Sequence, residues 1–175
     1  SFPEQPLAPF LTQIGRAADA AGLDTVWVAD HLLQADPTHS RQDPILEAYT
    51  TLGYLAAQTS RVHLGTMVTA VTYRPAALLL KAVTTLDVLS DGRAWLGIGA
   101  GYHQGEADAL GLPLPPTPER FARLEETLQL ALQMQSIENS RLTPLCQDDS
   151  CSRLKERGVC VEDQPFAYYL KKFDL

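Results

Sequence analysis

The chain has 175 residues, 45% hydrophobic and 20% charged, with 11 Gly, 12 Pro and 3 Cys, a globular composition rather than a disordered or collagenous one. A chain of this length buries about 70% of its unfolded surface, enough for one main domain with a sizeable core. Fourteen basic against 21 acidic residues give a net charge of −7 and no basic run to track a phosphate backbone, so nucleic acid and anionic membrane are excluded as partners.

The greasiest run, Ala76 to Leu80, meets Lys81 at once, far short of the roughly 18 residues of a membrane span. Ser1 opens without a charged or apolar leader, so a cytoplasmic address is expected.

From residue 8 to 134 helical and extended periods alternate, the pattern of βα units around a parallel sheet. Phe10, Ile14, Ala17, Ala18 and Ala21 share one face of a first helix that Gly22 stops. Thr25 to Val28 is a short buried strand. Asp43 as cap and Pro44 as first helical residue open a second helix, with Leu46, Tyr49, Gly53 and Ala56 on one face and Gln58 to Ser60 closing it.

Arg61 to Thr69 reads as the second strand. Pro75 starts a third helix whose stripe is Leu78, Leu79, Ala82, Val83 and Leu86, and Ser90 to Gly92 turns the chain into a third strand, Ala94 to Ile98. After a Pro-rich loop, Thr117 and Pro118 cap a last helix through Phe121, Leu124, Leu128 and Leu132. The three strands are expected to be parallel neighbours in chain order, because βαβ crossovers are right-handed and short.

Composition changes after Met134, which divides the chain into 1–134 and an atypical tail, 135–175. The tail holds all three cysteines, one of the eleven glycines, six basic and seven acidic residues, so the first 134 residues carry −6. Cys146, Cys151 and Cys160 are one ligand short of a structural zinc site and the tail has no His, so free thiols and no metal are expected.

The segments Asp24 to His31 (DTVWVADH), Val62 to Thr69 (VHLGTMVT), Tyr73 to Pro75, Thr84 to Gly105 and the spaced Glu106 together resemble the luciferase-like monooxygenase family, which includes bacterial luciferase relatives and deazaflavin-dependent oxidoreductases. The resemblance implies an α/β fold, part of a (β/α)8 TIM barrel truncated relative to the family. Ser1-Phe-Pro looks like the loop after a first strand that is missing. Past Met134 the tail does not resemble the four further strands with which relatives hold much of the cofactor phosphate.

The same resemblance places a cofactor, FMN or an 8-hydroxy-5-deazaflavin coenzyme, at the carboxyl ends of the strands. His31 becomes the polar contact to the ring, suited to proton exchange because imidazole titrates near neutrality, with Asp30 as its orienting neighbour. Otherwise His31 is a loop residue and Asp30 caps the next turn. Met67, Val68 and Thr69 form a bulge with a cis peptide between Met67 and Val68, bracing the ring. The alternative is an ordinary buried strand.

Gly97, Gly99 and Gly101 lack the spacing of a dinucleotide fingerprint. In a barrel Gly99 and Gly101 let the backbone approach a flat ligand, with Tyr102 beside the pocket. Some sugar-phosphate dehydrogenases of the family carry a catalytic Glu where this chain has Tyr102, which argues against their substrate class. Glu106 is either catalytic or a capping and pairing residue at the start of a short helix. His39 and His63 match no family motif.

Two functions follow. One is an oxidoreductase or monooxygenase acting by hydride transfer or dioxygen activation on a small organic substrate. The other is a non-catalytic relative that oligomerises or binds flavin. In both, unpaired strand edges predict a homo-oligomer.

Overall fold

The computed structural model describes residues 6–36, 38–40 and 42–139. The chain falls into two compact units, 1–124 and 125–175. The described part of the second is the continuation of one helix, on which Thr127 and Ala131 are buried. Leu128 and Leu132, expected on the buried stripe, are half-buried there. The three cysteines expected as free thiols lie outside the described residues. No helix among the described residues is long and apolar enough to cross a membrane.

The first unit alternates helix and strand as its sequence periods demand. Helix α1 (Leu7–Ala20) ends where Gly22 takes φ +72, as expected, because glycine enters the left-handed region without a Cβ penalty. Its buried face is rotated from the expected one. Gly15 and Ala18 are buried while Ile14 is 45% exposed, because a Cβ on Gly15 would stand 3.1 Å from Leu55 of the next helix. The missing side chain, which no hydropathy pattern registers, brings the two helices together.

Strand β1 (Thr25–Val28) is followed by helix α2 (Ala48–Ala56). This helix begins four residues later than Asp43 and Pro44 predict. Asp43 instead closes a turn, its N–H donating to the Ser40 carbonyl at 2.9 Å, and the cap is Glu47, whose carboxylate accepts from the Thr50 N–H at 2.7 Å. Helix α3 (Ala76–Ser90) follows Pro75. Leu79, Leu80, Val83 and Leu86 form its core face, whereas Leu78 is 58% exposed. Asp91 and Gly92, both at positive φ, make the expected turn.

Strand β2 (His63–Thr66) lies between β1 and β4 (Ala94–Trp95), all parallel and in chain order. Gly65 sits between the tryptophans. A Cβ there would meet the Trp27 ring at 2.4 Å and the Trp95 Cβ at 2.7 Å. The buried Leu52, Leu55, Val62, Leu64, Leu80, Val83 and Ala94 fill the space between the sheet and helices α2 and α3, the layered arrangement βα units require.

Each expected long strand is in fact two. After Thr66 the chain passes a cis bond between Met67 and Val68 and resumes as β3 (Thr69–Ala70). After Trp95 it resumes as β5 (Ile98–Gly99), and β3 and β5 form a second parallel ladder. Gly97 lies where they part. A Cβ there would be 1.9 Å from the Thr66 carbonyl oxygen, and the Gly97 carbonyl accepts from the Thr69 N–H at 2.8 Å and the Thr66 hydroxyl at 2.9 Å. Helices α4 (Gln104–Leu110) and α5 (Thr117–Asn139) follow. The fold is α/β with parallel strands, and no closed barrel forms among the described residues.

Two polar clamps join the layers at the amino end of the sheet. Arg93, buried to 9% exposure, donates to carbonyls of Ala56, Thr59, Val62 and Ser90, tying the end of α2 to the residue before β2 and to the end of α3. The Asp19 carboxylate accepts from the N–H groups of Ser60, Arg61 and Val62 at 2.8 to 2.9 Å. Slight burial pushes the Asp19 carboxyl up, but these donors outweigh it and hold it far below the ordinary value.

A depressed carboxyl stabilises the fold above its unfolded pKa near 4 and loses that contribution as pH falls toward its folded value. Asp19→Ala should therefore cost about 1 kcal/mol at pH 7, the size of a lost cap, since solvent screens the site. The difference should shrink between about pH 4 and pH 2. Urea melts of both proteins across that range measure it, and a constant difference refutes it.

Candidate functional site

All the strands run parallel, so their carboxyl ends gather the three connections that leave them: residues 29–33 after β1, 71–75 after β3 and 100–103 after β5. Parallel-strand enzymes place reactive groups at this end.

Glu106, in the first turn of α4 and only 1% exposed, is the centre of the cluster. Its Oε1 accepts from the N–H groups of Leu32 at 2.5 Å and Leu33 at 2.8 Å. Its Oε2 accepts from His31 Nδ1 at 2.8 Å and from the Tyr73 hydroxyl. Burial pushes the Glu106 carboxyl up, but the bonds from Tyr73, His31, Leu33 and Leu32 outweigh it and hold the group below its ordinary value. With both oxygens doubly engaged, Glu106 stays an anion that orients other groups.

An ionised Glu106 only accepts, so Nδ1 of His31 carries the proton and Nε2 is the acceptor in the neutral ring, a tautomer assigned from the network. The Tyr102 hydroxyl stands 3.3 Å from Nε2, and the Tyr102 and His103 rings meet the imidazole edge-on at 5.8 and 5.7 Å. His103 caps α4, its Nδ1 accepting from the Glu106 N–H at 3.0 Å, which fixes the helix that carries Glu106. The arrangement can take up a proton at Nε2 while the carboxylate behind Nδ1 stabilises the resulting imidazolium.

Asp30 does not orient His31. Buried to 2% exposure, it takes a forked ion pair from Arg74 at 2.7 and 2.8 Å, and the carboxylate on His31 is Glu106. Arg74 also reaches Glu47 at 2.6 Å and lies 5.1 Å from the centre of the Tyr49 ring. The Tyr49 hydroxyl meets Thr69 Oγ1 at 2.7 Å, and Thr69 meets Thr66 at 2.9 Å, so a continuous polar chain joins β1, α2 and β3.

Met67 and Val68, at the cis bond, are 61% and 48% exposed, apolar surface at the same end of the sheet, while Thr69 is buried beneath them. Gly99 and Gly101 are both closely surrounded by protein atoms. A Cβ on Gly99 would stand 3.0 Å from Val68, and one on Gly101 would stand 3.0 Å from Thr72 Oγ1 and 3.2 Å from Ala70 Cβ. Tyr102 is 74% exposed. Tyr73, Arg74 and Glu47 carry no site expectation from the sequence, and Tyr49 is expected only on the face of the second helix. The first two stand in the quoted Tyr73 to Pro75 motif, and that was their only signal.

Residues 4–140 match the profile of the luciferase-like monooxygenases. The chain belongs to the luciferase-like monooxygenase family. A similar member is the F420-dependent glucose-6-phosphate dehydrogenase of Kineococcus radiotolerans, 42% identical over 134 residues, 75% of this chain and 37% of that protein. Another is the 5,10-methylenetetrahydromethanopterin reductase of Methanolobus tindarius, 34% identical over 65% of this chain and 32% of its own length.

Among solved structures, the oxygenating constituent of 3,6-diketocamphane monooxygenase from Pseudomonas putida, in complex with FMN, superposes with a TM-score of 0.60 over 78% of this chain and 37% of its own, at 18% identity. The chain thus spans about a third of the length of each of these relatives. Such structural neighbours are TIM-barrel enzymes.

Proposed function

We propose that this chain is the ring-binding portion of a flavin- or deazaflavin-dependent oxidoreductase acting on a small organic substrate. The observation that carries the reading is His31, fixed at Nδ1 by Glu106 and presenting Nε2 beside Tyr102 at the strand ends. The described units are then the early part of a (β/α)8 barrel.

The residues fit the ring half of such a cofactor. Met67 and Val68 offer exposed apolar atoms for a flat ring, and His31 and Tyr102 offer polar edges. Arg74 is committed to Asp30 and Glu47, and Arg120 to the Gly101 carbonyl and Thr117, so neither is offered to a phosphate. The bound flavin or deazaflavin supplies hydride or dioxygen chemistry. His31 holds and moves a proton at Nε2, Glu106 keeps it in one tautomer, and Asp30 and Thr69 anchor the segments that carry His31 and Val68. A phenol rather than a carboxylate beside Nε2 supports a substrate class other than sugar phosphates.

A second reading has one observation in its favour. In it the chain is a non-catalytic relative that oligomerises or binds flavin. The outer edges of β1 and β4, unpaired among the described residues, favour a homo-oligomer.

Titration with FMN and with the 8-hydroxy-5-deazaflavin coenzyme, followed by cofactor fluorescence, tests both readings, with light scattering for the assembly state. One cofactor should bind, and His31→Ala should weaken it at least tenfold while leaving the unfolding midpoint within the small range of a loop substitution. Failure of both cofactors, or an unfolding midpoint that collapses while binding persists, overturns the assignment. A tightly binding monomer that turns over overturns the second reading.

A further inference from the structure

We propose that Tyr73 is a positioning residue that loosens the hold of Glu106 on His31, because its hydroxyl and the His31 Nδ1–H share one oxygen of a buried carboxylate. The inference rests on the reading of His31 as the proton-carrying group, but its test reads His31 itself.

Both bonds end on Glu106 Oε2, and the Tyr73 oxygen stands 3.4 Å from His31 Nδ1. The other oxygen is already occupied by two backbone donors, so the charge of Glu106 is divided among four N–H or O–H groups. A carboxylate shared in this way attracts an imidazolium less strongly than one serving His31 alone, since each donor draws electron density from the same acceptor. Burial and then the bond to Glu106 push the Tyr73 hydroxyl up from its ordinary value, so it remains a donor to Glu106.

Among the described residues, the groups facing His31 come from three elements besides its own segment. Glu106 and the cap His103 come from α4, Tyr102 from the loop after β5, and Tyr73 from the connection before α3. On its own segment, Asp30 is paired with Arg74. Of these, only Tyr73 touches both His31 and its carboxylate, so removing one oxygen atom there alters the sharing and nothing else in the list.

The test is an NMR titration of the four histidines in the whole chain without cofactor. Tyr73→Phe should raise the His31 midpoint by about one unit, a tenfold shift in its proton affinity. In a Glu106→Gln background the same substitution should leave the midpoint where that background puts it. An unmoved or lowered midpoint, or a rise that persists with Gln at 106, overturns the proposal.

A structural role alone would change unfolding without moving the midpoint. Should Tyr73→Phe not fold, the unsubstituted chain still decides. The His31 Nδ1–H must show magnetisation transfer to the Tyr73 ring, and its absence refutes the shared oxygen. A cofactor that fails to bind leaves this titration unaffected, so failure of the functional reading and failure of this one are separable.

Discussion

Glu106→Ala should destabilise the chain by about 3 to 4 kcal/mol in urea unfolding at pH 7, because it strands several buried donors at once. The N–H groups of Leu32 and Leu33, His31 Nδ1–H and the Tyr73 hydroxyl all end on this one carboxylate, at a residue 1% exposed. The loss is smaller than four separate penalties, since the vacated space is polar and water can enter it.

Glu106→Gln gives the contrast. Its carbonyl keeps the two backbone donors, while its NH2 faces His31 and forces Nδ1 to accept. That variant should lose only about 1 to 2 kcal/mol yet move the imidazole proton to Nε2, a change visible in the nitrogen shifts of His31. An Ala variant within about 1 kcal/mol of the parent would show that the donors find other partners, and the carboxylate would not organise the site.

How far the sequence reveals this site depends on whether a feature is local. The βα alternation was legible because strand runs such as Thr25 to Val28 and stops such as Gly22 act within a few residues, and the strands indeed pair in chain order. The buried face of α1 came out rotated because its contact with the next helix is made by an absent side chain, at Gly15. The break of the second strand at the Met67–Val68 cis bond was legible only through the resemblance, and the break of the third was not legible, since it depends on Gly97 meeting the Thr66 carbonyl from another strand.

Asp30 was paired with His31 because they are adjacent. Adjacent residues in extended chain point to opposite sides, so Asp30 turns inward to Arg74 and His31 meets a glutamate 75 residues away. Met67, Val68, Tyr102 and Glu106 drew notice only through resemblance. No periodicity marks a residue whose partners lie on other connections.

Arg74→Met is expected to cost about 3 kcal/mol or more, comparable to the loss of Glu106, because it leaves Asp30 as a buried carboxylate without a counter-charge. The Asp30 side chain is fully buried and receives both guanidinium nitrogens, while Glu47 at the head of α2 takes the third bond. Burial pulls the Arg74 guanidinium down, but Asp30 and Glu47 outweigh it, and the group stays above its ordinary value.

Arg74→Lys should fall between the two, since an ammonium offers a single point of charge where the fork meets two oxygens and a second carboxylate. Asp30→Asn together with Arg74→Met should recover much of the loss, because the uncompensated charge is then gone, and this recovery separates an electrostatic origin from the packing of the arginine stem. Because Asp30 directly precedes His31, Arg74→Met should also broaden the His31 ring resonances as the segment after β1 loses its anchor. If Arg74→Met unfolds within about 1 kcal/mol of the parent, or the double variant is no better than the single one, the buried pair is not what holds this segment.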